Sequence, residues 1–393
     1  MGMDYLPGFS GYNAHWRRQR AHLKQSLSVA VIKRDYSALL ETKARQYLTH
    51  CSARPEESVA SLNRYMGELI IELTYGRLAN EDSGDYVERS AAILQAVIQV
   101  TQGHVVDLLP FLKYLPSWLP GMGFKRYAAK WSKEIEDTRR AAFETARETA
   151  LSGDPNLPPS YIINKLRALY NAEGKLKDAK AVEEEERAID HSGFTGVDTS
   201  ESTLESLVLA MALFPSVQEK VHAELDRIVG QDRLPTFEDQ QALAYLHAVV
   251  LETLRWHPVG TVGLPHTSLT DDTYQGYFIP KETAVIVNVW GISRNTKYYS
   301  NPSAFYPERF TKPIPELDPR RFAFGFGRRI CPGNDLAFQS IWILAASILW
   351  GFEIRMTQSD AAALREDTNK FSFGIPASNI QVPVCAETQT LTG

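Results

Sequence analysis

One cysteine stands in a setting that can give its thiol a chemical role. Cys331 lies in the segment Phe322 to Gly333, which reads Phe-Ala-Phe-Gly-Phe-Gly-Arg-Arg-Ile-Cys-Pro-Gly, and an apolar run from Leu336 to Trp350 follows it. The run predicts a core helix. A thiolate just ahead of a helix N-terminus is favoured by the helix dipole and by nearby backbone N–H groups. Glycines beside it let the backbone lie flat against a planar group. Such a thiolate can be the axial ligand of a haem iron, whereas a cysteine without these neighbours is usually an inert core residue.

Composition and charge exclude several other functions. The chain has 393 residues, a net charge of −5 and a pI near 6.0, which argues against nucleic-acid binding. Its three cysteines, Cys51, Cys331 and Cys385, give no disulfide framework, CxxC pair or zinc pattern, and they predict a reducing compartment. The N-terminus lacks signal or anchor character, and Leu336 to Phe352 is too short and too interrupted to span a bilayer. The sequence as written predicts no transmembrane segment.

Four positions around the cysteine carry a family resemblance. Phe324, Gly327, Arg329 and Gly333 stand at offsets −7, −4, −2 and +2 from Cys331. On these positions the segment resembles the haem-binding loop of the cytochrome P450 superfamily. The resemblance implies that Cys331 ligates the iron of haem b. It also implies that Phe324, Gly327 and Arg329 bind the cofactor, with Arg329 anchoring a propionate.

Two other places in the chain resemble propionate-binding positions of the same family. A helix predicted to begin near Tyr12 carries Trp16 and Arg20 four residues apart, so both lie on one face. Alone, this pattern is typical of a basic surface helix with a half-buried tryptophan. It resembles the family's W-x-x-x-R helix, which implies that Trp16 and Arg20 hold a haem propionate through guanidinium–carboxylate pairing. His266 stands where the family carries another propionate-binding residue, although a lone loop histidine is usually just exposed.

The stretch Thr195 to Ser200, Thr-Gly-Val-Asp-Thr-Ser, opens a helix predicted to extend to Phe214. Gly196 inside a helix costs about 1 kcal/mol against alanine. Close approach of a flat ligand explains it, as does a local widening in which the Thr199 hydroxyl leaves the helix ladder. A helix-interior threonine that bonds back to a carbonyl is the alternative. The stretch is similar to the family's oxygen-activation motif, which implies that Asp198 and Thr199 deliver protons to bound oxygen.

A further pair of motifs concerns the core. Glu252 and Arg255 stand three residues apart on a helix predicted to end at Trp256, so they can pair. Downstream, Tyr-Pro-Glu-Arg-Phe places Arg309. In the P450 family these residues form a buried ion triad behind the haem loop, and the resemblance implies the same for Glu252, Arg255 and Arg309. Such a triad must be fully paired, because an orphaned buried charge costs several kcal/mol.

Three further segments lie outside these motifs. Val105 to Phe124 is strongly apolar, yet its three prolines and two glycines forbid a continuous helix. Because loops are normally polar, this apolar segment predicts one of three arrangements: it packs in the core, it covers a substrate mouth, or it makes peripheral membrane contact through residues 105–124. Its place between two helices resembles the family's substrate-entry lid. Thr267 to Ile292 predicts strands, with a hairpin near Tyr274 to Thr283 and an alternating run from Ala284 to Trp290. Phe371 to Pro376, apolar around a glycine, is a candidate lining of the distal pocket.

Together the motifs predict a single, mainly α domain with a small β region over residues 1–393, the cytochrome P450 fold. The resemblance implies a monooxygenase that uses O₂ and electrons from an NADPH–cytochrome P450 reductase to hydroxylate or epoxidise a small apolar substrate. The residues of the Cys331 loop are most similar to those of fungal P450 enzymes that act in secondary metabolism or xenobiotic oxidation. For these, the expected location is the endoplasmic reticulum membrane, on its cytosolic face.

The start of the chain departs from the family pattern. Full-length eukaryotic members carry an anchor, a hinge, strands and a helix ahead of the W-x-x-x-R helix, and this chain begins almost at that helix. The comparison predicts that the N-terminal part of the fold is missing. One alternative function is therefore a haem-binding or inactive truncated fragment without monooxygenase activity. Another is an H₂O₂-driven peroxygenase, against which Asp198, Thr199 and the basic first helix argue.

Overall fold

The structure is a computed structural model, and it describes residues 2–76, 83–101, 105–152, 154, 159–170, 179–193, 198–356 and 385–388. The chain divides into two compact units. The first unit comprises Met1–Lys43 and Asn63–Val197, and the second comprises Ala44–Leu62 and Asp198–Gly393. The candidate lining at residues 371–376 lies outside the described residues.

In the described residues the first unit is helical. Its helices are α1 (Ala14–Ser26), α2 (Val29–Val31), α5 (Ser83–Thr101), α6 (Val105–Leu108), α7 (Gly123–Leu151), α8 (Tyr161–Tyr170) and α9 (Ala179–Gly193), while α3 (Ser37–Ala53) and α4 (Ser61–Tyr75) run along the chain across the unit boundaries. The Asn13 side chain caps α1 by accepting a hydrogen bond from the Trp16 N–H at 2.8 Å. Such a cap satisfies one of the four unpaired N–H groups at a helix start.

Apolar side chains, most of them from α7, α8 and α9, build a core cluster of the first unit. Its buried members are Leu23, Tyr75, Ala142, Phe143, Ala146, Ala150, Tyr161, Ile162, Ile163, Leu166 and Ile189. Gly193 ends α9 against this core, since a Cβ there would lie 2.7 Å from Ile162 Cδ1. The charged helix α7 begins at Gly123, shortly after Pro120 and Gly121. Residues 105–122 form only the one-turn helix α6, a 3₁₀ turn over Pro110–Tyr114 and further turns, as the prolines predict.

The second unit is centred on α15 (Asn334–Gly351), the core helix predicted after Cys331. All its residues from Ser340 to Leu349 are buried, and the helix packs against α10 (Asp198–Leu213), α11 (Pro215–Ile228) and α12 (Ala244–Trp256). Each fully buried Leu or Ile side chain contributes about 1.5–3 kcal/mol. Two shorter helices of this unit are α13 (Val289–Ser293) and α14 (Arg320–Ala323).

The described strands form three antiparallel pairs. They are β1 (His266–Thr267) with β4 (Ala284–Val285), β2 (Asp272–Tyr274) with β3 (Tyr277–Ile279), and β5 (Phe352–Arg355) with β6 (Cys385–Thr388). The β2–β3 hairpin pairs Thr273 with Phe278 and turns at Gln275 and Gly276, whose φ angles are 51° and 85°. Positive φ at both central residues is the geometry of a two-residue hairpin turn.

One strand prediction was wrong. The alternating run from Ala284 to Trp290 forms a strand only over Ala284–Val285, and its end turns into α13. Asn288 causes the change, because its side chain accepts the Gly291 N–H at 2.7 Å and caps a helix. Asparagine at a helix N-cap outweighs the strand preference of the valines around it.

A side-chain amide ties α11 to β5. Gln218 Nε2 donates to the Ile354 carbonyl at 3.0 Å, and Gln218 Oε1 accepts the Ile354 N–H at 2.8 Å. The buried amide therefore replaces the peptide group of a neighbouring strand. Among the helices of the described ranges, none combines the length and the apolar character that crossing a bilayer requires.

Candidate active site

The loop around Cys331 is closed by its own backbone. It runs from the end of α14 through Phe324, an extended Phe326 and a 3₁₀ turn over Gly327–Arg329 to Cys331, three residues before α15 begins. The Cys331 N–H donates to the Phe324 carbonyl at 2.7 Å. This bond holds Cys331 beside Phe324. The thiol lies just ahead of the N-terminus of α15, where a thiolate is stabilised.

Two glycines of the loop are required by backbone conformation. Gly325 has φ of +80° and Gly327 has φ of +55°, in the left-handed region where a Cβ costs about 1–2 kcal/mol. Gly333 is different, because its φ of −93° suits any residue. A Cβ at Gly333 would lie 3.9 Å from Cys331 Sγ. The absence of that Cβ therefore leaves room beside the sulfur.

The surroundings of Cys331 fit a flat prosthetic group with one axial sulfur ligand. Phe324 and Cys331 are partly buried, Gly327 and Phe326 are exposed, and a Cβ at Gly327 would meet no atom within 4 Å. The loop thus offers an accessible sulfur, an aromatic ring and a bare stretch of backbone. Burial lowers the pKa of the Arg329 guanidinium from its ordinary value, and a partly desolvated guanidinium gains more from a carboxylate than an exposed one does.

The structure brings Glu252, Arg255 and Arg309 together. Arg255 donates to both carboxylate oxygens of Glu252, at 2.7 and 2.8 Å, and Arg309 Nε donates to Glu252 Oε2 at 3.0 Å. All three side chains are 0% exposed. A fourth member, Glu316, was not predicted. Its Oε2 lies 2.5 Å from Arg309 Nη1, so two carboxylates now balance two guanidiniums.

Every donor of the two guanidiniums is used. Besides Glu252, Arg255 donates to the carbonyls of Ser293, Pro302 and Ala304. Besides its carboxylates, Arg309 donates to the carbonyls of Ser300, Asn301 and Ala304. Glu252 also accepts the backbone N–H of Tyr306 at 2.7 Å. A buried ion cluster contributes to stability only when it is satisfied in this way.

Helix α10 starts at the predicted oxygen-activation motif. Its first residue is Asp198, whose side chain is outside the described set, as are residues 194–197 with Gly196, so the predicted local widening is not described. The Thr199 side chain is exposed, and its carbonyl accepts the Thr203 hydroxyl at 2.9 Å. Further along the helix, burial and the neighbouring Glu201 raise the pKa of Glu205 to about 7. A carboxyl of this kind exchanges a proton near neutral pH.

Comparison with known proteins decides the family. The family model described as Cytochrome P450 matches residues 4–384. The chain belongs to the cytochrome P450 family. A cytochrome P450 monooxygenase of the mushroom Coprinopsis cinerea, COX1, is 34% identical over 361 residues, which are 90% of this chain and 69% of that protein. The tryptamine 4-monooxygenase of Psilocybe cyanescens is also 34% identical, over 90% of this chain and 70% of that enzyme. This P450 is accordingly an oxidoreductase of the monooxygenase type, similar to fungal enzymes.

Solved structures agree on the P450 fold. A zebra fish cytochrome P450 with progesterone has a TM-score of 0.72, with 24% identity, over 91% of this chain and 82% of that chain. A second zebra fish P450 structure, with abiraterone, has a TM-score of 0.68 and 23% identity, over 98% and 84% of the two chains. The mainly helical fold with a small β region is confirmed.

In this P450 the predicted propionate residues differ in their surroundings. Trp16 and Arg20 share a face of α1, with the Arg20 guanidinium carbon 5.9 Å from the centre of the Trp16 ring. The Trp16 indole N–H donates to the Pro7 carbonyl at 3.1 Å, so a propionate would have to replace that bond. His266 is exposed on β1, where it pairs with Val285.

Sequence reasoning missed two polar contacts. Glu316 follows Arg309 by seven residues through an irregular loop, and no periodicity predicts a contact across such a loop. Ser206 and His257 are hydrogen-bonded in the core at 2.6 Å. The signal for the second was available, since Ser206 lies on the apolar helix α10 and a buried hydroxyl needs a partner.

Proposed function

We propose that this P450 is a haem–thiolate monooxygenase that takes electrons from NADPH–cytochrome P450 reductase and hydroxylates or epoxidises a small apolar substrate. The observation that supports the proposal best is the Cys331 loop, in which Gly325 and Gly327 fix a partly accessible thiol three residues before α15. The match over residues 4–384 supports a further part of the proposal, that both compact units belong to one P450 domain.

Each predicted residue has a task in this proposal. The Cys331 thiolate would hold the haem iron, and Phe324 and Gly327 would lie along the haem. Bound haem supplies the activation of O₂. Guanidinium, imidazole and indole groups would hold the propionates; these residues are Trp16, Arg20, His266 and Arg329. Asp198 and Thr199 would pass protons inward from water by general acid catalysis.

The substrate is proposed only as a class. The relatives are fungal monooxygenases, and one of them is named for tryptamine. Small apolar molecules of fungal secondary metabolism, or apolar foreign compounds, fit this setting. Tryptamine, which combines an apolar indole ring with a charged amine, is a first probe because one relative is named for it. The expected result for a substrate is a shift of the haem absorption on binding followed by an oxygenated product.

A membrane contact through residues 105–124 is part of the proposal. Apolar side chains are exposed there, with Leu108 at 83%, Tyr114 at 78% and Trp118 at 76%, which disfavours the alternative of core packing. Lys125 holds the segment by donating to the Lys113 and Leu115 carbonyls at 2.9 and 2.6 Å. Exposed aromatic and aliphatic side chains beside cations are typical of a surface that lies at a lipid interface.

Vesicle flotation tests this contact. Leu108→Ser with Trp118→Ser should reduce the fraction of protein that floats with phosphatidylcholine vesicles, because each substitution removes apolar area from the lipid-facing segment. Ile314→Ser is the matched control, since Ile314 is 86% exposed but lies in the second unit. Equal loss in the control and the double variant, or no flotation of the unmodified chain, would contradict the membrane proposal.

The absorption spectrum of the reduced, CO-bound protein tests the main proposal. The unmodified chain should give the red-shifted Soret band of thiolate-ligated haem, and Cys331→Ala should abolish it. Cys51→Ala is the control, because the Cys51 thiol is buried in α3 and burial raises its pKa. A band that survives Cys331→Ala refutes the ligand assignment. Haem binding without turnover supports the inactive fragment, and turnover with H₂O₂ alone supports the peroxygenase.

A further inference from the structure

A buried hydrogen bond joins the helix that carries Thr199 to the helix that carries the ion cluster. Ser206 Oγ and His257 Nδ1 lie 2.6 Å apart, and each residue is 3% exposed. Ser206 belongs to α10, and His257 is the residue directly after α12. The His257 N–H donates to the Thr253 carbonyl at 3.0 Å, so the imidazole is held at the end of α12.

The direction of this hydrogen bond follows from the number of protons. Ser206 Oγ also lies 2.7 Å from the Ser202 carbonyl, which can only accept. A hydroxyl has one proton, and if that proton goes to the carbonyl, His257 Nδ1 must carry a hydrogen and donate to the serine oxygen. Burial and the nearby Arg294 lower the pKa of His257 to about 4, so the ring is neutral at physiological pH.

The position of Ser206 matters because of helix periodicity. Ser206 follows Thr199 by seven residues, which is about two turns, so the two residues share one side of α10 roughly 10 Å apart. A helix is stiff over two turns, and a rotation at Ser206 is therefore a rotation at Thr199. Buried Leu204 and Leu207 fix the distance of α10 from its neighbours. A short hydrogen bond is directional and adds an orientational constraint to this apolar packing.

We propose that Ser206 and His257 are positioning residues, whose hydrogen bond sets the rotation and height of α10 and thereby the place from which Thr199 passes protons. The inference rests on the proposed function, since it presupposes the proton-delivery role of Thr199. Ser206 and His257 themselves transfer no proton in this scheme; they hold the helix.

Five variants separate this role from simple stabilisation. Ser206→Ala and His257→Phe remove the bond, while His257→Asn restores it, because the asparagine Nδ2–H stands where the Nδ1–H stood. Gln218→Ala is the matched control, since it removes two buried hydrogen bonds between α11 and β5 and leaves the Ser206–His257 bond in place. Thr199→Ala reports whether Thr199 has its proposed task.

Three measurements are made on the haem-loaded chain. Hydrogen exchange of the amides of residues 200–206 reports how firmly α10 is held, and ¹⁵N NMR of the histidines reports whether His257 carries its hydrogen on Nδ1. The third measurement is the peroxide formed per NADPH with reductase and no substrate. Each O₂ reduced to peroxide consumes one NADPH and each O₂ reduced to water consumes two, so poor proton delivery raises this ratio.

The expected result is faster exchange and a severalfold higher peroxide ratio in Ser206→Ala and His257→Phe. His257→Asn and Gln218→Ala should keep the exchange rate and the peroxide ratio of the unmodified protein, even where their melting temperatures fall. If Ser206→Ala and His257→Phe lower only the melting temperature while Thr199→Ala raises the peroxide ratio, the positioning role is refuted and Thr199 keeps its task. If Thr199→Ala leaves the ratio unchanged, the proposed proton path itself fails.

Discussion

Glu316→Gln tests whether the buried ion cluster needs its fourth charge. Glu252 and Glu316 balance Arg255 and Arg309, and the substitution leaves the cluster with one excess positive charge while keeping an oxygen that can accept from Arg309. A hydrogen bond to a charged group contributes about 1.5–3 kcal/mol, against 0.5–1.5 kcal/mol for a neutral one. Because the Glu316 side chain is 14% exposed and water can reach it, we expect a loss of about 1–3 kcal/mol in the free energy of unfolding.

The pH dependence of that loss has a definite sign. Burial alone would raise the pKa of Glu316, but hydrogen bonds from Ser300 and Arg309 outweigh it and lower the pKa from its ordinary value of 4.5. A carboxyl whose pKa is lower in the folded than in the unfolded state stabilises the fold above its unfolded pKa. The advantage over Glu316→Gln should therefore be full at neutral pH and disappear as the pH falls through the lower, folded-state pKa.

Denaturant unfolding followed by circular dichroism, at neutral pH and in acid, measures both quantities. Lys312→Gln is the control, because Lys312 contacts the same carboxylate at 3.4 Å but its side chain is 42% exposed. Exposed pairs contribute about 0–1 kcal/mol. If Glu316→Gln costs no more than Lys312→Gln, or if its cost does not shrink in acid, the view that Glu316 neutralises the cluster is refuted.

Two other predictions concern the loop and the first unit. Gly325→Ala should cost about 1–2 kcal/mol in the free energy of unfolding and lower the haem content, because φ at Gly325 is +80°. Gly333→Ala should leave stability nearly unchanged, because φ at Gly333 is −93°, and should shift the Soret band, because the added Cβ would contact the Cys331 sulfur. Equal melting temperatures and haem contents for the two variants would contradict this prediction. Burial, Arg139 and His15 lower the pKa of His191 to about 4 in the folded protein. The unfolded state therefore binds a proton more readily, and the free energy of unfolding falls as the pH drops below about 6.5, by up to about 1.4 kcal/mol per pH unit. His191→Gln should flatten that slope in urea titrations, and an unchanged slope would refute the assignment.

Local rules account for what the sequence predicted well. In the Cys331 loop, the structure gives positive φ angles at Gly325 and Gly327, a backbone conformation that glycine adopts without a steric cost. The apolar run before Gly351 predicted α15, since a fully buried helix needs apolar residues on all sides. Both features depend only on neighbours in the chain.

Contacts between distant residues account for what was missed. Glu316 completes the charge balance from an irregular loop, and nothing local marks it as Arg309's partner. The pairing of Ser206 with His257 likewise depends on how α10 and α12 pack. At Asn288 the failure was of another kind, because a capping side chain and an alternating valine pattern make opposite local predictions and the cap prevailed.

The two saturated guanidiniums have a consequence for how the chain folds. The carbonyls of Ser300, Asn301, Pro302 and Ala304 belong to the irregular stretch after α13, and Arg255 and Arg309 supply the donors that a sheet or helix would otherwise provide. That stretch cannot acquire its shape before α12 and the Pro307–Phe310 turn have met. We therefore expect residues 293–304 to fold late and as one step. In pulse-labelling experiments their amides should gain protection together, after those of α15; protection acquired residue by residue, or before α15, would contradict this order.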